Sequence, residues 1–141
     1  ADVSLAVRIG ASFKLHERNS GHVALAFHTA DQRQKYWEQS DQPAGQIKKW
    51  ESEFASIRQS GFRTMESTLI VGVQDTATPI LGADGRLLAV LCVSHILRVG
   101  EADESARISS AMLECSQAIS SEFGPTMISQ LDAPAHGVKS T

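Results

Sequence analysis

The chain has 141 residues, 42% hydrophobic and 21% charged, with 16 acidic against 13 basic residues for a formal net charge of -3. That length favours one domain around one core, and that composition excludes wholesale disorder. The acidic balance, with Lys48-Lys49 as the longest basic cluster, argues against a domain that grips nucleic acid by its phosphates.

No apolar run reaches the length of a bilayer span. The opening Ala1-Asp2-Val3-Ser4 lacks the basic start and apolar stretch of a secretion signal. Cys92 and Cys115 are too few for a disulfide framework. His16, His22, His28, His95 and His136 are scattered, without metal-ligand spacing. The expectation is a cytoplasmic protein with no metal, no cofactor and no membrane partner.

In chain order, Val3, Leu5, Val7 and Ile9 alternate, which predicts a half-buried strand broken at Gly10. Asn19 or Ser20 is placed to cap a short helix carrying Val23 to Phe27. Residues 31–39, polar around Tyr36 and Trp37, read as another short helix. Ile47, Trp50, Phe54 and Ile57 recur at helical spacing, giving an amphipathic helix from Gln46 to Ser60 that stops at Gly61. The β-branched runs Leu69–Leu81 and Arg86–Ile96 flank Gly82-Ala83-Asp84-Gly85, the clearest hairpin signal in the chain. A last helix runs from Glu101 to Phe123 with the stripe Ile108, Met112, Cys115, Ile119 and Phe123, and Gly124-Pro125 ends it. Residues 132–141 have no pattern and read as a disordered tail, leaving one domain over 1–131. The element order predicts an α+β domain, a mainly antiparallel sheet with helices packed against it.

The hairpin register makes a site prediction. If Leu81 faces Arg86 across the turn, Asp75 falls opposite Cys92, Val73 opposite Ser94 and Ala77 opposite Val90. Asp75, Cys92 and Ser94 then share one face, a small polar island among Val73, Ala77, Leu88 and Val90. On an isolated antiparallel strand Asp75 would simply face solvent. If both faces are covered, the island lies in a pocket and its carboxylate needs hydrogen-bond donors. The register leaves both readings open. It does separate Cys92 from His95, three apart on a strand and so on opposite faces, which removes the obvious thiol–imidazole dyad. There is no Gly-x-Ser-x-Gly elbow, phosphate loop or His-rich metal signature, and the expectation is that the chain is not an enzyme.

Three ordered blocks resemble a known family. Arg8 to Ala26, through Gly10, Leu15-His16, Gly21 and Leu25-Ala26, is similar to the signature "vG…PLHata-G-kalLA". Ile57 to Arg63, with Gly61-Phe62, is similar to "vr-x-x-G-y". Gly72 to Ser94, through Pro79, Gly85 and Ala89, is similar to "G-v-x-c-i-a-a-P-v-x-d-x-x-G-x-v-v-A-a-l-s-v-s". Together they resemble the effector-binding domain of the isocitrate lyase regulator (IclR) family, bacterial transcription regulators, over about residues 8–124. The resemblance implies a GAF-like (profilin-like) fold. It implies a small organic effector, often an organic acid or aromatic catabolite, whose binding modulates a separate winged helix-turn-helix that alone contacts DNA. It implies a homodimer or homotetramer. Carried over by position, the effector pocket is Asn19, Ser20, Met65, Asp75, Cys92 and Ser94, the last three being the island already found by register.

The chain departs from the pattern in four places. Lys14 stands where the signature has proline, Glu17, Arg18 and Asn19 replace small residues, Asp75 stands where a small neutral residue is usual, and Met65 where an acid is common. Either the pocket has exchanged its acidic position or it has lost the family's usual ligand. The resemblance also implies a helix and a hairpin ahead of the first strand, whereas the sequence given opens almost at that strand. The competing readings are a GAF-like oligomerisation domain with a vestigial pocket, and a small enzyme using Asp75 or His16. Arg18 and Arg63 are the cations expected near Asp75.

Overall fold

The computed structural model describes residues 9–98, 100 and 102–123. The expected first strand lies outside the described residues except for Ile9, which is exposed in a turn, and the tail beyond Phe123 lies outside them altogether.

A single 3-10 turn, Leu15–Glu17, leads into α1, Asn19–Phe27. Neither Asn19 nor Ser20 caps this helix. The cap position is Arg18, no side chain accepts there, and Asn19 is already helical because its amide is used elsewhere. Helix α2 is Ala30–Glu38, opened by a capping box in which Thr29 Oγ1 accepts from the Gln32 N–H and Gln32 accepts from the Thr29 N–H. Helix α3 is Ala44–Ser60. Its predicted stripe does turn inward, with Phe54 and Ile57 buried and Ile47 and Trp50 packed against them. Gly61 ends it in the left-handed conformation, φ 81°, its N–H bonded to the Ile57 carbonyl at 2.8 Å.

The sheet has three antiparallel strands in the order β1 (Arg63–Glu66), β2 (Val73–Leu81), β3 (Leu87–Ile96). Strand β1 is unpredicted: Arg-Thr-Met-Glu has neither length nor alternation to announce a strand. The stretch expected to start β2 at Leu69 is instead a bend with Leu69, Ile70 and Val71 exposed, and β2 begins after Gly72. The β2–β3 register also differs from expectation. Leu81 pairs with Leu87, an irregularity at Ile80/Leu81 adds one more residue, and the strands then run Ala77 opposite Cys92, Asp75 opposite Ser94 and Val73 opposite Ile96. The total slip is two residues. Because side chains alternate with period two, an even slip leaves every residue on its predicted face.

Helix α1 covers the face of Ala77, and together with α2 and α3 it closes a core of Val23, Leu25, Ala26, Trp37, Phe54, Ile57 and Ala77. Helix α4, Ser105–Glu122, lies against β2 on the face of Gln74 and Thr78. The expected stripe is only partly its inner face, with Met112 buried and Ile108, Ile119 and Phe123 half-buried. Cys115 is exposed, and Ser109, Met112 and Ser116 are buried, in line with Ser105, which donates to Gln74 Oε1 at 2.6 Å, and Ser120, which donates to the Leu81 carbonyl. These serine hydrogen bonds hold the helix to β2 at its two ends, with Met112 buried between them.

Candidate functional site

The first turn of α1 meets the β1–β2 pair through Asn19. Its Nδ2 donates to the Arg63 carbonyl at 3.0 Å and to the Asp75 carbonyl at 2.9 Å, and its Oδ1 accepts from Arg63 Nη1 at 3.2 Å. Asn19 is therefore a clamp: both its N–H donors are spent on backbone.

A cleft of about 300 Å³ opens beside this clamp. All six residues named from the sequence, Asn19, Ser20, Met65, Asp75, Cys92 and Ser94, line it, along with Phe13, Arg18, Ser67, Thr68, Leu69 and Thr76. Met65, Asp75 and Ser94 form one rung across the three strands. Ser94 Oγ donates to Asp75 Oδ1 at 2.5 Å. Since Met65 and Asp75 face each other directly, an acid exchanged between those positions stays on the same rung. Burial pushes the Cys92 thiol pKa up, a hydrogen bond with Ser20 opposes this, and the Asp75 charge adds to the rise. Cys92 is thus held as a neutral thiol, and its strand neighbour His95 lines a different depression with Gln74.

The residues that sequence reading missed fall in two groups. Ser67, Thr68 and Leu69 reach the cleft only because β1 exists, and no local pattern marks that strand. Phe13 left no signal of its own; Arg18 lies over its ring, 3.9 Å from the centroid. The two expected cations do not pair with Asp75. Arg63 Nη2 lies 3.5 Å from Glu53 Oε2 and Nη1 also donates to Met65 Sδ at 2.9 Å; burial lowers its pKa and Glu53 opposes that. His16 lies away from the cleft: it is buried, its ring 2.6 Å from the Tyr36 hydroxyl and tilted against Trp50.

His22 stands behind the clamp, with Nε2 2.8 Å from the His16 carbonyl. That bond requires the proton on Nε2, so Nδ1 carries none in the neutral ring, and it has no hydrogen-bond partner. Burial is the main cause lowering the His22 pKa from 6.5, partly offset by the bond to His16; the Arg63 charge lowers it further. A depressed histidine pKa means that the folded state prefers the neutral ring. The resulting stability is complete above pH 6.5, where the unfolded chain is neutral too, and is lost as pH falls from 6.5 through the folded value. Urea midpoints measured across this range should fall with pH in the wild type and fall less in His22→Gln, which can keep the donor to His16. Parallel profiles for the two proteins would contradict this.

A larger groove, about 730 Å³, lies between the end of α3, the hairpin and α4 and contains none of the predicted site residues. Among the described residues no three His, Cys, Asp or Glu side chains group as metal ligands.

Comparison with known proteins bears on the cleft. Residues 1–121 match the family described as bacterial transcriptional regulator IclR, C-terminal. A solved IclR transcriptional regulator from Alicyclobacillus acidocaldarius superposes with a TM-score of 0.71 at 17% identity, over 88% of this chain and 52% of that one. HmgR of Pseudomonas aeruginosa gives 0.64 at 26% identity, over 88% and 51%. The inducer-binding domain of an Acinetobacter PobR double mutant, solved as a complex with 3-hydroxybenzoic acid, gives 0.66 at 15% identity, over 84% and 74%. The chain spans about half the length of the first two regulators. No curated protein matches its sequence significantly.

Proposed function

Because this chain belongs to the bacterial IclR transcriptional regulators, as their C-terminal domain, we propose that its cleft senses a small organic effector and that binding there modulates a DNA-binding winged helix-turn-helix elsewhere in the full protein. The observation that carries the reading is the convergence of Ser20, Met65, Asp75, Cys92 and Ser94, from one helix start and three strands, on one cavity. Convergent polar groups on a largely apolar wall are what small-molecule pockets present. The α1 start has no side-chain cap, so its free N–H groups favour an acid group, while Asp75 favours a donor. A relative of this fold solved with a hydroxybenzoic acid supports a ligand with two polar ends. A purely vestigial pocket is the weaker reading, since it would not call for a carboxylate beside Met65 that has no cation partner among the described residues. The sensor would work in the cytoplasm, where its DNA is; no helix among the described residues is long and apolar enough to cross a membrane.

A thermal-shift screen of organic acids and aromatic catabolites should find a ligand, and Asp75→Ala should weaken it by roughly 1–3 kcal/mol, the scale of one lost charged hydrogen bond. Unchanged affinity of a confirmed ligand in that variant would remove Asp75 from the site.

A homodimer or homotetramer is part of the same proposal. Val71, Ile70, Ile96 and Leu97 form an exposed apolar apron, stitched by the Leu97 N–H to the Gly72 carbonyl at 2.7 Å. Light scattering should give a mass above the monomer, reduced by Val71→Glu combined with Leu97→Glu. A monomeric wild type at micromolar concentration would count against it.

A further inference from the structure

We propose that the cleft selects a zwitterion, a small aminocarboxylate that places its carboxylate at Arg18 and its ammonium at Asp75; this rests on the cleft being the effector site. Arg18 and Asp75 are the charged residues among the described residues that line the cavity, one of each sign. They do not neutralise each other, since no ion pair joins them, and among the described residues neither is taken up by another charge. The Arg18 guanidinium rests on the Phe13 ring, and its Nε is buried with no hydrogen-bond partner. Asp75 accepts from the Ser94 hydroxyl on Oδ1 and, among the described residues, has no N–H donor on either carboxylate oxygen. Arg63, the other nearby cation, is turned away to Glu53 and Asn19.

A buried donor without an acceptor is costly, and a half-buried carboxylate without a cation is open to one. One ligand with an anionic and a cationic end satisfies both at once. A plain acid would satisfy Arg18 but bring a second negative charge into the cavity of Asp75. A plain amine would do the reverse beside Arg18. Between the two charges the wall is Phe13, Met65 and Leu69, which suits a short hydrocarbon body. The volume, about 300 Å³, lies at the lower end for small-molecule pockets, in keeping with a ligand of amino-acid size. The Cys92 thiol, whose pKa is raised by partial desolvation and by the Asp75 charge, adds no competing charge.

The test is a set of matched probes titrated by calorimetry and by amide chemical shifts of Ser20 and Ser94. Phenylalanine is compared with 3-phenylpropionate and 2-phenylethylamine; 4-aminobutyrate is compared with butyrate and butylamine. At least one zwitterion should bind about ten- to a hundredfold more tightly than both of its single-charge analogues, the scale of one charge-assisted hydrogen bond. Asp75→Asn keeps the shape and can still accept from Ser94. It should reduce the zwitterion to the affinity of the deaminated acid and leave that acid unweakened. Arg18→Gln should reduce it to the affinity of the amine. Thermal melts of both variants check that they fold. If the acids bind the wild type as tightly as the zwitterions, the zwitterion inference is overturned and the sensor reading stands. If none of the probes shifts the cleft amides, both are overturned for ligands of this kind.

Discussion

Gly21→Ala is expected to remove most of the stability of the domain. A Cβ built on Gly21 would lie 1.9 Å from the Leu15 carbonyl oxygen and 2.5 Å from its carbon. Both are backbone atoms, so no side-chain rotation relieves the clash. Relief requires moving the Leu15–Glu17 turn off the first turn of α1. That turn carries the His16 carbonyl bonded by His22 and the His16 ring packed on Trp50. The loss would exceed the usual range of point substitutions, at about 4 kcal/mol or more, or a fall in melting temperature on the order of 15 °C. Gly45→Ala is the control. Its added methyl group meets nothing within 4 Å, and it should be neutral or stabilise by about 0.4–1 kcal/mol through the unfolded state. Thermal melts by circular dichroism compare the two. A Gly21→Ala protein that melts within about 3 °C of wild type would mean the turn and helix are not packed this way.

Phe54→Ala is expected to cost about 3–5 kcal/mol, the range for emptying a large aromatic position in a core that cannot collapse. Phe54 is fully buried on α3. It meets the His22 ring edge-on with centroids 5.7 Å apart, and its ring lies parallel to Trp37 at 6.3 Å. Removing it unseats His22 and loosens α1 against α3, so effector affinity should fall along with stability. Ile57→Val, one turn on and also buried, removes a single methyl group and should cost about 0.5–1.5 kcal/mol. Urea unfolding distinguishes them. Equal small losses at both positions would show that the α1–α3 layer is not the centre of the core.

Phe54 packs against rings distant in sequence, His22 and Trp37, and such distance separates what was legible from what was not. Helix α3 was legible because its period of Ile47, Trp50, Phe54 and Ile57 lies within a few turns of one element, and a 3.6-residue repeat of apolar groups has one way to bury itself. The hairpin was legible for the same local reason, and the shared face of Asp75, Cys92 and Ser94 survived a misjudged register because a slip of two restores the alternation. The resemblance to a family placed the remaining cleft positions, Asn19, Ser20 and Met65.

Only the tertiary structure decided the rest. Strand β1 has no pattern of its own; it is a strand because Met65 and Thr64 find partners on β2 and because Asn19, 44 residues before Arg63, holds both strands through their carbonyls. The inner face of α4 follows its contacts with β2, so Ser109 and Ser116 turn inward with Met112 while Cys115 stays outside. The partition of Arg18 to Phe13 and of Arg63 to Glu53, which leaves Asp75 without a cation among the described residues, depends on where three separate segments meet. Periodicity is written in neighbours along the chain, whereas hydrogen-bond clamps and charge pairings depend on groups brought together only by folding, which no window of sequence contains.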